Sequence, residues 1–125
     1  MGMTWDQAIG ALTAPGQQFE LAKATVNGVE VDVFKNAPPH LGLVFAAARQ
    51  HGDKPFLVYE GETWTFTQAC DRLDALASLL VNTYGVKKGD RVAIAMRNYP
   101  EWVVAFGAIL SIGAVSVSMN SWWTA

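Results

Sequence analysis

Few side chains in this sequence have both the type and the spacing to do chemistry. Cys70 stands beside Asp71, but a cysteine nucleophile works as its thiolate, usually made by a nearby histidine, and no histidine is close to it in sequence. A packed or half-exposed thiol is the expected role. His40 and His51 fall eleven residues apart, at opposite ends of one predicted helix, so they cannot share a metal ion locally. His51 suits a helix end. Asp71 with Asp74, and Glu60 with Glu62, have the spacing of carboxylate dyads, yet solvated helix and turn faces explain both. Gly85-Val86-Lys87-Lys88-Gly89 is too short to cradle phosphates and reads as a helix stop followed by a turn. No catalytic, cofactor-binding or metal-ligating residue is therefore assigned. The one candidate for binding is the pair Trp122 and Trp123, either a pocket wall or membrane-facing surface, or an interface packed against further polypeptide.

Composition narrows the setting. The chain has 125 residues, room for about one small domain with a real core. Half the residues are apolar and only 16% are charged, which argues for an ordered globule. The nine Lys and Arg residues form no basic patch, so nucleic acid is not an expected partner. A single cysteine excludes an internal disulfide and fits a reducing, cytoplasmic setting. The first thirteen residues carry Asp6 and do not read as a signal peptide. Trp102 to Met119 is a run of eighteen uncharged residues, but Gly107, Ser111, Gly113, Ser116 and Ser118 interrupt it, so a buried soluble segment is expected rather than a membrane span.

The elements that would position these groups follow from local signals. Thr4 and Gln7 form a capping box ahead of Trp5, Ala8, Ile9 and Leu12 at helical spacing, with a stop near Pro15-Gly16. Asn27-Gly28 between Phe19–Val26 and Val29–Phe34 predicts a type I′ hairpin. After a linker at Lys35–Pro39, a helix is expected from about His40 to His51, with Leu41, Val44, Phe45 and Ala48 inward. A second hairpin joins Phe56–Glu60 to Thr63–Phe66 across Glu60-Gly61-Glu62. Thr65 and Gln68 make another capping box and open the longest helix, reaching about Tyr84, with Ala69, Leu73, Leu76, Ala77, Leu80 and Tyr84 buried and Gly85 as its stop. Arg91–Met96 reads as a strand. Asn98 as cap, Pro100 and Glu101 start a helix to about Ile112, apolar nearly all round, and Ala114–Met119 is a last strand. Strand, helix and strand over Arg91–Met119 make a βαβ unit with parallel strands. The fold class is thus α/β: a parallel βαβ unit plus β-hairpins and flanking helices. Residues 1–34 form an N-terminal helix-and-hairpin extension, and 35–125 the main body.

Several stretches carry a family resemblance. Thr63-Trp64-Thr65-Phe66-Thr67-Gln68-Ala69 resembles the first core motif of adenylate-forming (AMP-binding) enzymes. Gly89-Asp90-Arg91-Val92-Ala93 is similar to the turn into the first strand of their large domain. Asn98-Tyr99-Pro100-Glu101-Trp102 with Ile109–Asn120 resembles their Asn-x-Pro-Glu segment and second core motif, and Asn120-Ser121-Trp122-Trp123-Thr124 looks most like fatty-acyl-CoA ligases. The sequence departs from the pattern at Ser118, where proline is usual, at Ala69, where leucine is usual, and at Ser111, where a basic residue is common.

The resemblance implies an acyl-CoA synthetase-like N-terminal domain in a parent that uses ATP, Mg²⁺ and CoA to activate a small-molecule carboxylate, most simply a fatty acid. It also implies that the phosphate loop, adenine-stacking segment, ribose-binding Asp, hinge and catalytic Lys lie beyond position 125. The chain is then an inactive, truncated piece whose partner is the rest of the parent enzyme, and Thr124-Ala125 has the look of an N-cap without its helix. Self-association through uncovered apolar surface is expected, in a cytoplasmic parent with peripheral membrane contact as an option. Two other readings stay open: an adenylation domain that loads a carrier protein, and a complete stand-alone interaction module that dimerises.

Overall fold

A computed structural model describes residues 2–120; Trp122 and Trp123 lie outside the described residues. The chain divides after Pro39 into two units.

In the first unit, helix α1 (Trp5–Thr13) opens with the predicted reciprocal cap. Thr4 Oγ1 accepts from the Gln7 N–H at 3.3 Å while Gln7 Oε1 accepts from the Thr4 N–H at 3.0 Å. Strands β1 (Leu21–Val26) and β2 (Val29–Phe34) pair antiparallel, with Val26 opposite Val29. Asn27 (φ 51°) and Gly28 (φ 82°) both take the left-handed backbone that a two-residue type I′ turn demands. That register puts Ala22, Ala24, Val26, Val29, Val31 and Val33 on one face and Lys23 among Glu30 and Asp32 on the other. Lys35 and Asn36 are tied back to the start of the hairpin, Lys35 through both its backbone N–H and its ammonium to Glu20.

The second unit holds the core. It runs α2 (Leu41–Ala48), a 3₁₀ turn (Arg49–His51), β3 (Pro55–Tyr59), β4 (Glu62–Thr65), α3 (Phe66–Asn82), β5 (Arg91–Ile94), α4 (Pro100–Ser111) and β6 (Val115–Ser118). β3 and β4 form the expected antiparallel hairpin; β5 and β6 are parallel, with Arg91 opposite Val115 and Ile94 opposite Ser118. α4 is the connection between those parallel strands, which is the βαβ unit read from the sequence.

Packing centres on α4. Val104 and Ala108 meet Leu73 of α3, while Ala105 and Ile109 meet Ile94 and Ala114 of the strand layer. Close approach of the helices depends on Gly107. At its C-terminus α4 ends in a Schellman arrangement: Gly113 (φ 75°) donates to Leu110 O at 3.1 Å and Ala114 donates to Ile109 O at 3.1 Å. The chain is thereby turned directly into β6.

Four local expectations are corrected. The cap of α4 falls on Tyr99, not Asn98, and no side chain bonds there. Pro100 restricts the residue before it to extended backbone (Tyr99 φ −90°, ψ 161°), so the boundary is set one residue later. Tyr84 is 70% exposed because α3 stops at Asn82 and the chain leaves helical register before it reaches the tyrosine. The second hairpin turns on two residues, Glu60 and Gly61, and Glu62 is already paired with Tyr59. Leu41 and Val44 of α2 point outward; Phe45 and Ala48 carry its inward face.

Candidate functional site

The family-like motifs build scaffold. Thr65 Oγ1 accepts from the Gln68 N–H at 3.2 Å, and Gln68 Oε1 accepts from the Thr65 N–H at 3.0 Å, so the first motif is a cap that launches α3. In the second, Asp90 Oδ2 accepts from the Lys87 N–H at 2.8 Å and closes the turn in which Gly89 sits at φ 89°. Gly89 then donates to Gly113 O, and Val115 donates to Asp90 O at 2.7 Å, which locks the entrances of β5 and β6 together. Lys87 and Lys88 are thus part of a turn, not of a phosphate-binding loop.

The chemically suspicious side chains are placed apart. Cys70 is 5% exposed and lies against a void of about 10 Å³ among Phe45, Phe56, Leu73 and Val104. Burial pushes its thiol above the ordinary value, the opposite of what activates a nucleophile. Asp74 pairs with Arg49 Nη2 at 2.6 Å on the surface, which joins α3 to the turn after α2, and the hydrogen bond to this carboxylate raises the Arg49 pKa against the opposing effect of burial. His51 packs on the Phe66 ring (4.7 Å between centroids), with Phe56 stacked on the same ring at 4.3 Å. His40 is the cap residue of α2 and makes no side-chain cap bond. Among the described residues no three His, Cys, Asp or Glu side chains are grouped to hold a metal ion.

What the fold does bring together is the carboxyl end of the parallel pair. Met96, Arg97 and Asn98 from the β5–α4 connection, Trp102 in the first turn of α4, and Ser118, Met119 and Asn120 at and beyond the end of β6 line a cleft of about 640 Å³. In open α/β sheets, ligands bind outside the carboxyl ends of parallel strands. A second cleft, of about 270 Å³, shares Asn98 and Trp102 and continues over Leu57, Tyr59, Tyr99 and Pro100. Residues of this second cleft come from a hairpin and a helix start that are far apart in sequence, so no local signal announced it.

The family model for AMP-binding enzymes matches residues 44–125, which contain the whole βαβ unit and both clefts. The chain belongs to the AMP-binding enzyme family. It is 40% identical over 78 residues to a long-chain-fatty-acid--CoA ligase of Salmonella typhimurium, a match covering 62% of this chain and 14% of that one. Among solved structures, an artificially fused adenylation–PCP di-domain NRPS from Klebsiella oxytoca aligns with a TM-score of 0.63 at 31% identity, over 66% of this chain and 16% of the other. The O-succinylbenzoate coenzyme A synthetase of Bacillus subtilis, solved with ATP and magnesium, aligns with a TM-score of 0.61 at 28% identity, over 64% and 22%. The chain spans about 14% of the length of the curated ligase it matches.

The sequence has no Ser/Thr/Gly-rich loop ending in lysine. What the AMP-binding family member contributes here is the β5–α4–β6 frame. No described helix is long and apolar enough to cross a membrane.

Proposed function

We propose that this chain is the leading part of the adenylating domain of a carboxylate–CoA ligase that acts on fatty acids, and that its own role is to scaffold one side of that domain. The observation that carries this reading is the 40% identity to a long-chain-fatty-acid--CoA ligase, joined to a parallel βαβ unit that the ligase-like motifs themselves cap and turn. In the reaction proposed for the whole enzyme, a carboxylate oxygen attacks the α-phosphorus of ATP and pyrophosphate leaves. The CoA thiol then attacks the acyl carbon and AMP leaves. ATP, Mg²⁺ and CoA are the co-substrates this reading requires, and residues outside this chain would bind them. A cytoplasmic setting accompanies it, and so does association of the isolated chain with itself.

A second reading is favoured by the likeness to an adenylation–PCP di-domain: the acyl group passes to a carrier-protein thiol instead of CoA. Both are tested with the protein encoded by the complete reading frame and with these 125 residues alone. The complete protein should exchange pyrophosphate into ATP when given fatty acids and should form acyl-CoA, while the short chain should do neither. Transfer only to a carrier protein would select the second reading. Exchange by the short chain would overturn the scaffold role.

A further inference from the structure

The two clefts differ in character and share a wall. Leu57, Val58, Tyr59, Tyr99, Pro100 and Val103 line the smaller one, and no charged side chain is among its lining residues. Its rings brace one another: Tyr59 and Tyr99 meet edge to face with centroids 5.6 Å apart, and Trp102 stacks on Phe106 at 5.1 Å. A volume of about 270 Å³ with such walls suits a length of alkyl chain.

The larger cleft carries the charge. Arg97 is the one charged residue among its described lining residues, and no carboxylate lines either cleft. Arg97 enters none of the ion pairs formed among the described residues. Asn98 and Trp102 belong to both clefts, so this cation stands at the end of an apolar groove rather than alone on a polar surface. A guanidinium can take a carboxylate through two parallel N–H···O bonds. A cation beside a hydrocarbon seat complements an anionic amphiphile. A bare phosphate would use the arginine and leave the apolar cleft uncovered, and an uncharged lipid would do the reverse.

We propose that the joined clefts bind a free fatty acid, with its carboxylate on Arg97 and its alkyl chain over Tyr59, Tyr99 and Trp102. The choice of a fatty acid among anionic amphiphiles rests on the ligase reading above, whereas the pairing of charge with hydrocarbon rests on the clefts alone.

The test uses the 125-residue chain and decanoate below its micelle-forming concentration, with the ring ¹H–¹³C signals of Tyr59 and Tyr99 as readout. Saturable shifts on both rings are expected. Decanol lacks the charge and acetate lacks the chain, and each should bind roughly tenfold more weakly or worse. Affinity should rise severalfold from hexanoate to decanoate as more methylenes are covered. Arg97→Gln should weaken decanoate about tenfold and leave decanol unchanged, which separates a lost charge from a failure to fold. Arg97→Lys, which keeps the charge, should retain most of the binding. Decanol binding as tightly as decanoate, an affinity that does not grow with chain length, or full decanoate binding by Arg97→Gln would overturn the proposal. Tighter binding of inorganic phosphate or AMP than of decanoate would overturn the assignment to a fatty acid. If decanoate binds here but the complete protein forms no acyl-CoA from fatty acids, the ligase reading fails and the site stands; the opposite pair of results sinks the site alone.

Discussion

Gly107 of α4 lies so close to Leu73 of α3 that a Cβ at residue 107 would overlap Leu73 Cδ1, and the same Cβ would come within 2.9 Å of Phe45 Cε1. One missing methyl group thus lets three helices converge, and the two clefts sit on the helix start and strand ends that this convergence holds in place. Leu73 is 6% exposed and packs against Val104 and Ala108.

Gly107→Ala should therefore lower stability. Alanine gains about 1 kcal/mol over glycine as a helix former, but overpacking a tight core costs typically about 1–3 kcal/mol, and a buried neighbour puts this site toward the upper end. Urea unfolding of the variant should show a lower midpoint. Leu73→Ala placed in the Gly107→Ala background should cost less than it does alone, since it removes the overlapping atom. Strictly additive losses would show that the overlap is not what limits this crossing.

The two hairpin turns differ in one residue, and that difference has a sign. Asn27-Gly28 and Glu60-Gly61 both place their first residue at positive φ, 51° and 47°. Asparagine tolerates that backbone, whereas glutamate is strained there. Glu60→Asn should raise the unfolding midpoint by an amount corresponding to about 0.5–1 kcal/mol. An unchanged or lower midpoint would mean that the Glu60 contact with Tyr59 outweighs the strain.

Cys70 should behave as an inert core residue. Desolvation raises its pKa from the ordinary 9.0, so little thiolate forms near neutrality in the folded chain. A disulfide reagent at pH 8 should label it slowly in buffer and rapidly in denaturant. Stability linked to this thiol is present below 9.0 and falls as the pH rises above it, because the unfolded thiol then ionises before the folded one. Rapid labelling of the native chain would contradict the buried position.

Legibility in the sequence followed the range of the interactions. Both capping boxes and the Asn27-Gly28 turn are set by residues within a few positions of one another, and the βαβ unit, whose strands pair at long range, is legible from the local signals of its three successive elements. The cap at Tyr99 was misplaced because two local preferences competed: asparagine favours the cap, but proline dictates the backbone of the residue before it. Leu41 and Val44 were expected inside on periodicity, yet α2 is apolar on so many positions that periodicity could not choose its buried face. The Tyr59–Tyr99 cleft was invisible for a different reason, since only the packing of β3 beside α4 brings those rings together.

In the first unit, Glu20 offers a titration with a definite direction. Its carboxylate accepts from Lys35 Nζ at 2.8 Å and from the Gly16 N–H at 2.9 Å, and these two bonds, the lysine's first, lower its pKa below the ordinary 4.5. A lowered folded pKa means that the contribution is present above 4.5 and is lost as the pH falls through the folded value. Carboxyl ¹³C titration should place the Glu20 midpoint below 4.5, and Lys35→Met should move it upward toward that value. A midpoint at or above 4.5 in the unsubstituted chain would show that the contact does not persist in solution.

Self-association should follow from what the second unit leaves open. The β5–β6 sheet has two strands, and among the described residues neither outer edge is paired; Leu41, Leu43 and Val44 on α2 and Met96, Val115 and Met119 at the sheet are more than a third exposed. Unpaired edges and clustered apolar side chains are what chains bury against one another. Each roughly 100 Å² of apolar surface covered contributes about 2.5 kcal/mol, against an association cost of about 4–15 kcal/mol, so a few hundred Å² is enough to shift the balance. Sedimentation of the 125-residue chain at tens of micromolar should show dimers or larger species, and Val115→Lys should shift the distribution toward monomer. A monomer throughout that range would mean that these surfaces are sheltered within a single chain.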